Sequence, residues 1–218
     1  MTTASPIRRR RTQQERREEA EERLLKAAME LVTLKGVAGL TLGEVGERAG
    51  YSRGLPAHHF GNKEGLLRAL ATYLRNRFSE ANANRTPKPR AGLDAILKTI
   101  DLYLLNASSA DRNSPGRAFH AILTEATVTR GVLLADVQAL NRTTTGFLEM
   151  QLRAGIQSGE IRPEIDPVAQ ATVIAGMLRG IVSILFAEDA AVDPDRVRQQ
   201  AIEMVRQALA NPDQPGRI

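Results

Sequence analysis

The chain has 218 residues, of which 42% are hydrophobic and 25% charged, with no Cys, no Trp and a formal net charge of +5. Without Cys there can be no disulfide, thiolate metal site or thiol nucleophile. With only 4% aromatic residues there is little from which to build a base-stacking platform. The rest fits one large globular domain or two small ones.

The charge has a location. Residues 1–17 hold six Arg and one Glu, which accounts for the whole excess, so the remaining sequence is balanced. Residues 1–12 read as a flexible basic arm, including the run Arg8, Arg9, Arg10 and Arg11. Such an arm on a neutral body points to a polyanion partner, although a merely solvated tail has the same composition. No apolar run follows the basic opening, so no secretory signal is expected and the expected location is cytoplasmic.

Thr12 and Glu15 have capping-box spacing and open a first helix over about 13–35. Its apolar positions from Leu24 to Leu34 recur at helical intervals, and Gly36 supplies the stop. Thr41 and Glu44 form a second box before a short helix over 42–48. Gly50 makes a turn, and Ser52 is placed to cap a third short helix ending near His59. Asn62 caps a fourth over about 63–83, with Leu66, Leu67, Leu70 and Leu74 in its stripe.

A proline-bearing loop follows, then helices over about 93–106, 117–129 and 133–158. Asp166 with Pro167, and Asp193 with Pro194, are cap-and-proline starts for the last two helices. No β-type alternation appears, so the expectation is an all-α protein of about nine helices. It divides into an N-terminal part over 13–65 and a C-terminal helical part over 66–218.

The most informative segment is T-L-G-E-V-G-E-R-A-G-Y-S-R-G-L-P-A-H-H-F-G-N-K, from Thr41 to Lys63. Two short helices joined at a glycine bend have helix-turn-helix spacing. Between Arg48 and Lys63 there is no acid. The second helix of such a motif places its first side chains in the major groove, here Ser52, Arg53, Gly54 and Leu55. Arg53 has the geometry to chelate a guanine or grip a phosphate, and Gly54 permits close approach. Thr41, the start of the fourth helix and Lys63 are suited to phosphates. A tight helical corner with scattered charge would have the same spacing.

Here the sequence resembles the TetR family of transcriptional regulators. The segments R-L-L-K-A-A-M-E-L-V-T-L-K-G, T-L-G-E-V-G-E-R-A-G-Y-S-R-G and H-H-F-G-N-K-E-G-L-L match in order and spacing over about 24–70. G-I-Q-S-G-E-I-R-P-E-I-D-P before an apolar helix is a weaker match. The resemblance implies a homodimer that binds an operator, with an N-terminal three-helix helix-turn-helix DNA-binding domain over 13–65, its motif at about 42–61, and a C-terminal helical ligand-binding and dimerisation domain with a ligand pocket over 66–218. One departure stands out: the family has Tyr where this chain has Ala57, and Leu55-Pro56-Ala57 replaces the usual pattern. The recognition helix is therefore expected to be short or to start late, with His58 or His59 taking over the phosphate contact.

The apolar segment 168–187 is about long enough to span a bilayer. Arg179 at its middle and Gly176 and Gly180 favour instead a helix buried by its own core and by a second subunit. The last helix, striped by Val197, Ala201, Val205 and Leu209, is expected to pack beside it in a four-helix dimer interface. Tyr103, Phe119, His120, Phe147 and Met177 are candidates to line a ligand cavity, each also readable as plain core.

No enzyme motif occurs, no cofactor or metal site is indicated, and adjacent His58 and His59 cannot share a metal from one helix face. The reading is a homodimeric regulator, a repressor released from a near-palindromic operator on double-stranded DNA by a small molecule. The alternative is a helical interaction protein that has lost DNA binding.

Overall fold

A computed structural model of the chain describes residues 12–83, 88–107, 114–131, 133–187 and 192–213. Among them are nine helices: α1 (Gln13–Lys35), α2 (Leu42–Arg48), α3 (Leu55–Phe60), α4 (Lys63–Ala83), α5 (Leu93–Ala107), α6 (Pro115–Thr129), α7 (Leu134–Gln157), α8 (Pro167–Ala187) and α9 (Pro194–Leu209). The extended structure among these residues is one isolated bridge, Ile161 to Ala210. The basic run Arg8 to Arg11 lies outside the described residues.

Five of the six expected caps form, the exception being Ser52. Thr12 Oγ1 accepts from the Glu15 amide while Glu15 returns a bond to the Thr12 amide at 2.7 Å, and Gly36 closes α1 at φ 73°. Asp166 Oδ1 accepts from the Val168 amide and Asp193 Oδ1 from the Asp195 amide, each at 2.9 Å, satisfying helix-start donors that would otherwise have no partner. One start of the same kind escaped the sequence reading. α6 begins at Pro115, not Arg117, because buried Ser114 caps it through the Arg117 amide at 3.3 Å.

Two cores result. The first joins α1, α2 and α4 (Leu24, Leu31, Val45, Leu66 and Leu70 among others) to Ala118, Ile122 and Leu123 of α6 and to Leu133 and Val137 at the start of α7. The second joins α5, the end of α7, α8 and α9 through Ile96, Ile100, Leu148, Ile174, Val182 and Val205. α6 is the hub, packing against α1, α4, α5, α7 and α8.

The last two helices do not pack side by side as expected. The α9 stripe of Ala201, Val205 and Leu209 is buried within the protomer, where α9 lies mainly on α5 and α8 on α7. α8 buries Ala171, Ile174, Leu178 and Val182 and leaves Val168, Thr172, Val173, Gly176, Gly180 and Ile184 exposed on the other side. α8 is also the one helix among the described residues that is long and apolar enough to cross a membrane.

Candidate nucleic-acid interface and ligand cavity

The α2–α3 corner depends on a glycine that the sequence reading passed over. A Cβ on Gly46 would lie 2.4 Å from the Ser52 carbonyl oxygen, so only Gly lets the two helices approach this closely. Gly50, at φ 78°, turns the chain between them, and the Tyr51 amide bonds Gly46 O at 2.8 Å.

Ser52 is not the cap of α3. Its carbonyl accepts the Leu55 amide in a turn at 3.1 Å, and Pro56 has no N–H with which to extend that turn as helix. The α-type bond from the His58 amide goes to Gly54 O at 3.2 Å, which makes Gly54 the cap residue. The recognition helix thus starts late and is 6 residues long. Ser52, Arg53, Gly54, Ala57 and His58 form a continuous exposed surface, and a Cβ on Gly54 would meet open space.

The remaining candidates are more constrained. Leu55 is half-buried against the first core, so its side chain braces α3. His59 is half-buried, its Nδ1 enclosed without a partner, and burial holds its pKa below the usual imidazole value. Lys63 Nζ donates to Ala38 O at 2.8 Å, tying α4 to the turn between α1 and α2. The α4 start is capped by Asn62, whose Oδ1 accepts from the Gly65 amide at 2.8 Å. Thr41 caps α2 through the Glu44 amide at 3.3 Å and is exposed. Arg53 Nη1 is paired with Glu47 Oε1 at 2.8 Å, a partner the sequence reading did not assign.

At the seam of the two cores lies a cavity of about 360 Å³, within the usual range for small-molecule sites. Tyr103, Phe119 and His120 line it, together with Phe78 and Arg75 from α4, Leu123, Leu140, Thr144 and Val182. Phe147 and Met177 do not. Phe147 is on the outer side of α7, 38% exposed, and Met177 packs against the second core. The Phe78 and Phe119 rings meet edge to face at 5.6 Å, joining α4 to α6 at the cavity wall. His120 packs edge to face on Phe186 at 5.6 Å. Burial first, then the nearby Arg179, hold its pKa below the usual value, which leaves the ring neutral at pH 7.

Residues 24–70 match the sequence profile of bacterial regulatory proteins of the tetR family, and residues 92–208 match that of the tetracyclin repressor-like C-terminal domain. The chain is 27% identical over 193 residues to the HTH-type transcriptional regulator BetI 1 of Chromohalobacter salexigens, covering 86% of this chain and 89% of that one. Its fold resembles a TetR transcriptional regulator from Chloroflexus aurantiacus with a TM-score of 0.77 at 22% identity, over 90% of this chain and 98% of the other. SmeT in complex with triclosan aligns with a TM-score of 0.72 at 25% identity, over 89% and 93% of the two chains. SmeT is the repressor of a Stenotrophomonas maltophilia multidrug efflux pump.

Proposed function

The chain belongs to the TetR family of DNA-binding transcriptional regulators, and from that premise we propose that it is a cytoplasmic, dimeric repressor whose operator is a near-palindrome. The observation that carries this reading is the open surface of Ser52, Arg53, Gly54, Ala57 and His58, set on a corner that only Gly46 permits. The exposed surface, with no acid between Arg48 and Lys63, also disfavours a helical interaction protein that has lost DNA binding.

In this reading Arg53 reads a base edge, while Thr41, Ser52 and His58 position the phosphates. The arm carrying Arg8 to Arg11 adds sequence-independent affinity along the adjacent minor groove. The dimer forms through the last two helices. α8 supplies the stripe of Val173, Gly176, Gly180 and Ile184, and α9 adds exposed Met204. Two-fold symmetry then presents two recognition helices to successive major grooves.

The cavity is the effector site. Its wall includes Arg75 and Phe78 of α4, which begins beside α3. Arg68 of α4 is paired with Asp136 of α7 at 3.0 Å. An effector that prefers another packing of α6 against α4 shifts the spacing of the recognition helices, by a coupling of about 1–3 kcal/mol.

Sequence selection from random duplex DNA with the purified protein tests the reading. A recovered near-palindrome whose complex weakens with salt supports it. Recovery of no common sequence overturns it.

A further inference from the structure

Arg179 of α8 lies beside the cavity, behind Tyr103, half-buried and off the exposed stripe. Its Nη2 donates to Asn141 Oδ1 of α7, and the guanidinium also reaches the hydroxyl of Tyr103 on the cavity wall. Both partners are neutral. Among the described residues no carboxylate pairs with Arg179, nor with Arg75 at the α4 side of the cavity. Among the described residues that line the cavity there is no Asp or Glu.

A half-buried cation is stable only if something supplies its counter-charge or its hydrogen bonds. Here the described residues supply hydrogen bonds and no counter-charge. Tyr103, whose hydroxyl burial keeps protonated, and neutral His120 each offer a donor to the space in front of that cation. Elsewhere in the lining Leu102, Phe119, Leu123 and Leu140 present only carbon.

We propose that the cavity is a receptor for an amphipathic organic carboxylate, with the acid group seated against Tyr103 and His120 in front of Arg179 and the hydrophobic body against Phe119, Leu123 and Leu140. The inference rests on the reading of this cavity as the effector site. It disfavours organic cations as effectors, because none of the described lining residues can neutralise them.

The test uses the full-length protein and two isosteric sets at neutral pH: octanoate, octanamide and octylammonium, and hydrocinnamate, hydrocinnamamide and phenylpropylammonium. Calorimetry without DNA should show the carboxylate binding about tenfold tighter than its amide in at least one set, the worth of one charge-assisted bond, with the ammonium weaker still. Arg179→Met and the milder Tyr103→Phe should each collapse the carboxylate preference while the protein still melts cooperatively. An amide or ammonium that equals the carboxylate in both sets overturns the proposal, as does a failure of all six to bind.

Operator release, followed separately by fluorescence anisotropy, keeps the two readings apart. A carboxylate that binds preferentially without releasing DNA leaves the ligand class standing and removes the regulatory role. Release by an ammonium but not by its carboxylate does the reverse.

Discussion

Arg53 Nη1 sits 2.8 Å from Glu47 Oε1 across the α2–α3 corner, so the side chain best suited to read a base is held by a carboxylate from the supporting helix. Both groups are exposed, so the pair itself stabilises the fold by little. Its effect is on recognition. Binding a guanine must displace or share this partner, which penalises Arg53 on any duplex that does not repay the loss. Glu47→Gln should therefore raise affinity for random duplex more than for operator and lower the ratio between them. Arg53→Ala should cost about 1–3 kcal/mol at the operator and relax preference at one base position. Competition binding at fixed salt reads both.

Gly46 and Gly54 make a matched pair. Gly46→Ala drives a methyl group into the Ser52 carbonyl and should destabilise the protein by about 1–3 kcal/mol, with loss of DNA binding. Gly54→Ala meets open space and should leave the melting temperature unchanged while weakening operator binding, because the methyl group stands where the duplex approaches. Thermal melts alongside gel shifts separate the two outcomes.

The arm makes a salt-dependent prediction. A protein contacting about 6–10 phosphates loses ~10³–10⁵ in affinity between about 50 and 200 mM salt. Deleting residues 1–11 should weaken binding and flatten that slope. An unchanged slope would show that the four consecutive arginines do not touch DNA.

Acid should destabilise the protein before its carboxylates titrate. Burial lowers the pKa of both His59 and His120 in the folded state. Below about pH 6.5 the unfolded chain therefore takes up more protons than the native one. The stability these two groups confer is complete above about pH 6.5 and is lost as pH falls through their lowered folded-state values. Urea midpoints across that window should decline, and His120→Gln should make the decline shallower.

The exposed side of α8 predicts the assembly. A Cβ at Gly176 or Gly180 meets nothing within the protomer, so Gly176→Glu or Gly180→Phe should leave the fold intact and halve the sedimenting mass. Operator affinity should fall on the order of 10²-fold or more with the loss of the second recognition helix. A variant that remains dimeric would move the interface elsewhere.

The helices were legible because their starts are chemically marked. Thr12, Thr41, Asn62, Asp166 and Asp193 all cap where their spacing placed them. Ser114 was missed because its cap-and-proline start lies at the end of a long polar stretch. Ser52 misled for the opposite reason: it is a good cap residue, but Pro56 removes the N–H that such a start would use.

In the candidate sites, whatever depends on distant contacts was hidden. Spacing identified Arg53 and Lys63 as cations but not that Glu47 and the Ala38 carbonyl would engage them. Tyr103, Phe119 and His120 line one cavity, whereas Phe147 and Met177, equally apolar in sequence, face elsewhere. Only the packing of α7 and α8 separates the two groups.

Phe119 and Leu123 belong at once to the cavity wall and to the core beneath the DNA-binding helices. Evolution cannot retune the effector range at these two positions without also moving the thermal stability of the reading head. Diversification among descendants is therefore channelled to lining residues outside that core, such as Leu102, Tyr103 and Val182, and libraries built to alter effector choice should begin there.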